Sequence, residues 1–101
     1  MNITFDEDFY WAKGLRGVAS KAVVDGKVVP FIFEGRALAQ HFGTENQPWP
    51  IEIAFMKNRA FLEEIVRDAI GRGMLNSRGE LLLGADELTP YFEKHAATAR
   101  A

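Results

Sequence analysis

Apolar and polar residues alternate most clearly on either side of Asp25-Gly26, and this pattern predicts a β-hairpin. An Asp-Gly pair readily adopts the positive φ angles that a two-residue hairpin turn requires. If Val24 faces Lys27 across this turn, the register pairs Val23 with Val28. The two strands then extend back to residue 18 and forward to residue 33.

The strand period of two divides the hairpin residues between two faces. We expect the face with both phenylalanines to be the core face, and it carries Val18, Ser20, Ala22, Val24, Val29, Phe31 and Phe33. The opposite face carries Ala19, Lys21, Val23, Val28, Pro30 and Ile32. On that second face the β-branched residues Val23, Val28 and Ile32 need a covering element or a partner. We expect cover from the C-terminal helix around Tyr91 and Phe92, or from a second copy of the chain.

Helical spacing of apolar residues predicts a short helix over residues 35–42. Two prolines make residues 44–50 a connecting loop, which contains Trp49. A long helix should begin at Pro50 and stop at Gly73, because apolar residues recur at helical spacing between them. Its apolar positions are Ile51, Ala54, Phe55, Phe61, Leu62, Ile65, Val66, Ala69 and Ile70.

Three shorter segments complete the predicted elements. Alternation over Ile3–Phe5 predicts a strand ahead of the hairpin, and the apolar run in Glu80–Leu83 predicts another strand of the sheet. A Thr-Pro pair favours a last helix from Pro90 to about His95. The alanine-rich residues 96–101 are expected to fray.

These elements predict an α+β fold with two layers, a small antiparallel sheet around the β-hairpin and a long helix packed on one face. A chain of 101 residues is typical of a single domain, so we assign residues 1–101 to one domain with its compact part at residues 2–95. The predicted core between the two layers contains Phe31, Phe33, Phe55, Leu62, Ile65 and Val66.

Composition narrows the class of protein. The chain is 48% hydrophobic and 26% charged, which is typical of folded globular proteins and excludes disordered and low-complexity classes. Its net charge of −2 disfavours a strongly basic nucleic-acid module, although residues 57–78 carry a local basic excess. The acidic N-terminus does not resemble a secretion signal, and the apolar runs are too short for a membrane span. We therefore expect a cytoplasmic location.

Few side chains in the sequence suit catalysis or metal binding. Cysteine is absent, and only His41 and His95 could act as imidazole ligands or acid-base groups. His41 is interpreted as a histidine at a helix end, and His95 as a solvated side chain. Neither Ser20 nor Ser77 lies in a nucleophile-elbow motif. We therefore predict no catalytic, cofactor-binding or metal-ligating residue, and no cofactor.

Two tryptophans are candidates for protein contacts. Large aromatic side chains frequently anchor interfaces, but they also cover small cores. Both alternatives stay open for Trp11 and for Trp49. With Val23, Val28 and Ile32, they make up the predicted interaction surface.

Several short motifs also carry a family resemblance. They are Ile3-Thr4-Phe5, Tyr10-Trp11, Val24-Asp25-Gly26, Val29-Pro30, Ala37-Leu38, His41-Phe42-Gly43 and Gly79-Glu80. Over roughly residues 2–88 the chain resembles the small bacterial proteins grouped as DUF1488. The resemblance implies a compact α+β domain of bacterial origin and brings no activity or site residue. In that family the positions of Val28 and Ile32 are often polar.

The leading functional hypothesis is a non-catalytic binding or regulatory module that acts through protein contacts, including self-association as a homodimer. A small enzyme with an unrecognised site is the rival hypothesis. A weak nucleic-acid-binding regulator is the third, and we expect a solvated helix face rather than nucleic-acid binding from the basic residues.

Overall fold

A computed structural model describes the backbone of residues 1–100 and the side chains of residues 1–95. Within that range the elements are β1 (Ile3–Phe5), β2 (Tyr10–Ala12), β3 (Gly17–Val24), β4 (Lys27–Glu34), α1 (Gly35–Phe42), α2 (Pro48–Lys57), α3 (Arg59–Gly71), β5 (Leu81–Leu83) and α4 (Ala85–Arg100). They confirm an α+β fold. Ala101 and the side chains of residues 96–100, for which fraying was predicted, lie outside this description.

The β3–β4 hairpin forms the centre of the sheet in the predicted register. Val24 faces Lys27, and Val23 pairs with Val28. Asp25 and Gly26 have φ angles of 50° and 86°, as the two-residue turn requires. The backbone N–H of Asp25 also donates to the carbonyl of the second residue of the chain, which ties the turn to the strand β1.

The other three strands flank this hairpin. Both β1 and β2 pair antiparallel with β3, and they share the same edge. On the far side β5 pairs with β4 in parallel orientation, so the sheet is mostly antiparallel and contains one parallel pair. The chain reaches β5 only after crossing through three helices, and such a crossover permits a parallel pair. The strand β2 was not predicted, because Tyr10-Trp11-Ala12 shows no alternation.

The predicted long helix is two helices, which is a correction. The break lies at Asn58, whose φ and ψ angles are −115° and 21°. Its side-chain amide donates to the carbonyl of Ala54 at 2.8 Å, so the side chain competes with the helical backbone pattern. The first of the two helices also starts earlier than expected, at Pro48, which places Trp49 in its first turn rather than in a loop.

The predicted end of the second of these helices is confirmed. Gly73 has a φ of 72°, and the backbone N–H of Met74 donates to the carbonyl of Ala69 at 3.1 Å. This six-to-one bond is the Schellman arrangement, in which a left-handed residue turns the chain back onto the last helical turn. It directs the chain toward β5.

The last helix, α4, is longer than expected at both ends. It begins at Ala85 and contains Pro90 in its interior. A carboxylate oxygen of Glu87 accepts a hydrogen bond from the backbone N–H of Gly84 at 3.2 Å, which stabilises the helix start. The Thr-Pro pair is therefore not the cap, since a glycine followed three residues later by a glutamate provides it.

One core lies between the sheet and the helices. The predicted core residues are all buried in one cluster, namely Phe31, Phe33, Phe55, Leu62, Ile65 and Val66. The cluster also contains Leu38 from α1 and Leu88 and Phe92 from α4. Each helix thus buries side chains against the face of the sheet that carries Phe31 and Phe33, and we call this face the inner face.

Candidate interaction surfaces

The opposite side of the sheet, called here the outer face, carries a row of apolar side chains across four strands. The register aligns Tyr10, Ala19, Ile32 and Leu82. The two middle residues are buried, whereas Tyr10 and Leu82 at the ends of the row are exposed. Leu15, from the turn after β2, and Leu82 line a shallow depression at Ile32. The outer face therefore exposes apolar side chains at the ends of the row, whereas the middle of the row is already buried.

The structure places the three β-branched residues on this outer face, as the alternation predicts. Ile32 is only 8% exposed, whereas Val28 is 53% exposed, and Val23 is half-buried. The expected cover by the C-terminal helix is wrong. Phe92 belongs to the core on the other side of the sheet, and the hydroxyl of Tyr91 donates to a carboxylate of α3 at 2.7 Å. Cover by a second copy of the chain stays a prediction.

The two tryptophans do not join this surface. Trp11 faces the core side and packs there, where a Cβ added to Gly35 would lie 2.7 Å from its ring. Trp49 is 73% exposed on α2, in the helical layer. The five predicted interface residues are thus divided between the outer face, the core and a helix surface.

The helix α2 presents a second exposed apolar surface, called here the α2 stripe. Trp49, Ile53 and Met56 lie at positions i, i+4 and i+7 of this helix, and Met56 is 55% exposed. The sequence pattern did not predict the stripe, because the prolines on either side of Trp49 indicate a loop. The available signal was that α2 is apolar on nearly all sides, a pattern otherwise typical of buried helices.

Two arginines of the locally basic segment bind the N-terminal part of the chain. The guanidinium of Arg59 donates to the carbonyls of Asp6 and Glu7, and it pairs with Glu63 at 3.1 Å. Arg67 lies over the ring of Phe5, with its guanidinium carbon 5.0 Å from the ring centroid. These cations therefore stabilise the fold, which lowers their availability for phosphate contacts.

Both histidines belong to one aromatic cluster where α1, α3 and α4 meet. The ring of His41 stacks on Phe92, with centroids 3.6 Å apart, and His95 stacks on Phe61 at 3.9 Å. Burial lowers the pKa of His41 below its ordinary value of 6.5, and His95 lowers it further. His41 does lie in the last turn of α1, but its stacked ring is stabilised in the neutral form. His95 is exposed, although it is not a freely solvated side chain.

The described side chains, residues 1–95, contain no group of three or more histidine and acidic residues that could hold a metal ion. Across residues 1–100, the helices fall short of the length and hydropathy needed to cross a membrane. Neither finding identifies a ligand. The exposed apolar surfaces are therefore the best guide to function among the described residues.

Comparisons with known proteins agree with this fold. A family model for proteins of unknown function, DUF1488, matches residues 3–83. The crystal structure of a DUF1488 protein of unknown function from Shewanella loihica PV-4 is similar, with a TM-score of 0.74 and 21% sequence identity. The similarity covers 82% of this chain and 94% of that chain, and at this identity it shows a shared fold. No curated protein matches. Because the matched range runs from the first strand to the last one, the chain belongs to the DUF1488 family.

Proposed function

We propose that the protein is a non-catalytic binding module that acts through the outer face of its sheet, and that its partner is a second copy of the chain. The observation that carries the proposal is the apolar row across four strands, with Ile32 at its centre and Tyr10 and Leu82 exposed at its ends. Exposed apolar side chains that flank an apolar row support an interface here, since exposed apolar surface commonly marks a protein contact.

The charges of the outer face favour self-association. Among the strand residues that the register places there, the charged ones are Lys21 and Glu34, one of each sign. A two-fold interface brings the same surface of each copy together, so a face with strong net charge would repel itself. The strand residues of this face carry no such excess, although Glu34 and Glu87 both line the depression at Ile32. Two copies can therefore pack sheet on sheet, at the spacing of about 10 Å found in β-sandwiches.

A charge introduced on the exposed part of the outer face, near the hairpin turn, tests the proposal. In Val28→Lys, a sheet-on-sheet interface would place an ammonium group of each copy in an apolar contact surface, where its desolvation is costly. We expect sedimentation equilibrium to show a concentration-dependent dimer for the wild-type protein and a monomer for Val28→Lys. The matched control is Met56→Lys, since Met56 has nearly the same exposure but lies on α2. This control should dimerise like the wild-type protein.

Two results would contradict the proposal. One is a wild-type protein that stays monomeric at every concentration. The other is a dimer that survives Val28→Lys and dissociates in Met56→Lys, which would move the interface to the α2 stripe.

The rival hypotheses have less support. The nucleic-acid hypothesis depends on free cations, whereas Arg59 binds the segment between β1 and β2 through two backbone carbonyls. The enzyme hypothesis requires a reactive group, and the two histidines stack on phenylalanine rings. The expectations of a bacterial origin and a cytoplasmic location stay predictions.

A further inference from the structure

The helices α3 and α4 enclose a cleft of about 690 Å³, called here the α3–α4 cleft. Its apolar lining consists of Phe61, Ile65, Met74, Pro90 and Tyr91. Small-molecule sites in proteins commonly have volumes of roughly 300 to 1,000 Å³ and a mostly apolar lining with a few polar groups. The α3–α4 cleft fits that description. It lies in the helical layer, away from the outer face of the sheet.

The polar rim of the α3–α4 cleft is acidic. The carboxylates that line it are Glu64, Asp68, Asp86 and Glu87, and the cationic side chains are Arg72 and Lys94. His95 also lines the cleft, and Glu87 accepts a hydrogen bond from the N–H of Gly84. One oxygen of Asp68 lies 2.8 Å from Nε of Arg72 and accepts a hydrogen bond from Tyr91. Glu64 lies 3.9 Å from an exposed arginine of the same helix, so its carboxylate is only weakly compensated. The rim as a whole attracts positive charge.

We propose that the α3–α4 cleft binds a small organic cation with an apolar body, such as a protonated amine that carries an aromatic ring. The apolar lining would accept the body of the ligand, and the carboxylates of the rim would attract its ammonium group. Aromatic rings attract cations, and the ring of Tyr91 lines the cleft, whereas His95 stacks on that of Phe61. The site does not depend on the proposed dimer. It also includes a helix, α4, that begins after the range matched by the family model.

Two matched compounds and two methionine methyl groups test the proposal. Phenylbutylamine and phenylbutyrate share an apolar body and differ in charge. In protein labelled at the methionine methyl groups, Met74 reports on the cleft and Met56 on the exposed side of α2. We expect phenylbutylamine to shift the Met74 resonance saturably while the Met56 resonance stays in place. Phenylbutyrate should bind at least about tenfold more weakly, because the rim repels it.

A pair of charge-reversal variants locates the cation. Glu64→Lys at the rim should weaken binding of phenylbutylamine by about tenfold at low salt. Glu93→Lys makes the same change on the other side of α4, facing α1, and should leave the affinity nearly unchanged. The unfolding transition of both variants verifies that each is folded.

Three outcomes would overturn the proposal. They are the absence of a saturable Met74 shift up to the solubility limit of the amine, equal binding of phenylbutyrate, and equal weakening by the two variants. A dimer that fails to form would leave these results unchanged, so the two proposals fail separately.

Discussion

Gly35, where β4 passes directly into α1, has no room for a side chain. A Cβ at this position would lie 2.7 Å from the ring of Trp11 and 2.9 Å from the carbonyl oxygen of Arg16. The backbone N–H of Gly35 also donates to that carbonyl at 2.9 Å. The close approach of the strand, the helix and the tryptophan therefore depends on this glycine, for reasons of space rather than backbone conformation.

We expect Gly35→Ala to destabilise the protein by about 1 to 3 kcal/mol, the usual cost of overpacking. Gly71→Ala is the matched control, because Gly71 is also helical and an added Cβ there would meet no atom within 4 Å. That variant should be as stable as the wild-type protein or gain about 0.4 to 1 kcal/mol. Urea denaturation measures both changes. Equal effects of the two substitutions would refute the steric argument.

The lowered pKa of His41 predicts how stability depends on pH. Below pH 6.5 the unfolded chain binds a proton at this residue more readily than the folded chain does. The contribution of neutral His41 is therefore complete above pH 6.5, and it is lost as the pH falls through the folded-state pKa. Denaturation at a series of pH values should show this decline, and His41→Gln should flatten it. His95→Gln should retain most of it, because burial is the largest cause of the shift.

At the scale of the elements, Arg59 of α3 stabilises the turn between β1 and β2. The guanidinium donates to two backbone carbonyls of this turn and lies over the rings of Phe9 and Phe55 at 5.8 and 5.7 Å. The hydroxyl of Ser20 in β3 donates to the carbonyl of Asp8 at 2.7 Å. These contacts fix β2, which is only three residues long.

We expect Arg59→Lys to destabilise the protein by about 1 to 3 kcal/mol, since an ammonium group cannot reproduce the forked geometry. Arg72→Lys is the control, because Arg72 pairs with Asp68 at the exposed surface and contributes about 0 to 1 kcal/mol. Hydrogen exchange should also be faster at the amides of Tyr10–Ala12 in the first variant alone. Unchanged exchange at those amides would contradict the role assigned to Arg59.

Elements that are determined by neighbouring residues could be predicted from the sequence, whereas elements that depend on distant contacts could not. The hairpin register follows from Asp25-Gly26 and a period of two, and both are local. The break at Asn58 was not predicted, although the sequence contains a signal for it. The signal is that polar Asn58 and Arg59 stand where the apolar face of one long helix would continue. The strand β2 depends on contacts with a distant helix. No local pattern of three residues could predict it.

At the scale of the whole molecule, stability depends on the single core between the inner face and the helices. Leu62→Ala should destabilise the protein by about 2 to 5 kcal/mol, because Leu62 is fully buried, and Phe55→Ala should do the same. Leu82→Ala removes the same atoms from the exposed outer face and should cost less than about 1 kcal/mol. Thermal and urea unfolding of the monomer compare the variants. Equal losses for both leucines would show that the core is misplaced.

The candidate surfaces were less predictable than this core. Alternation alone put Val28 and Ile32 on the face away from the core. It could not show whether α4 covers that face, because the side on which a distant helix packs is decided by the whole fold. The α3–α4 cleft depends on the same packing, so no local pattern of the sequence could predict it.

The two edges of the sheet limit how many copies can assemble. At one edge β5 has three residues, and at the other the acidic turn Asp6–Asp8 separates β1 from β2. Such short, interrupted edges offer few free backbone groups to an incoming strand, which is how natural sheets avoid edge-to-edge aggregation. A dimer formed through the outer face buries that face in both copies, so no second copy can bind there. We therefore expect assembly to end at two chains, and concentrated protein to stay dispersed instead of growing into fibres.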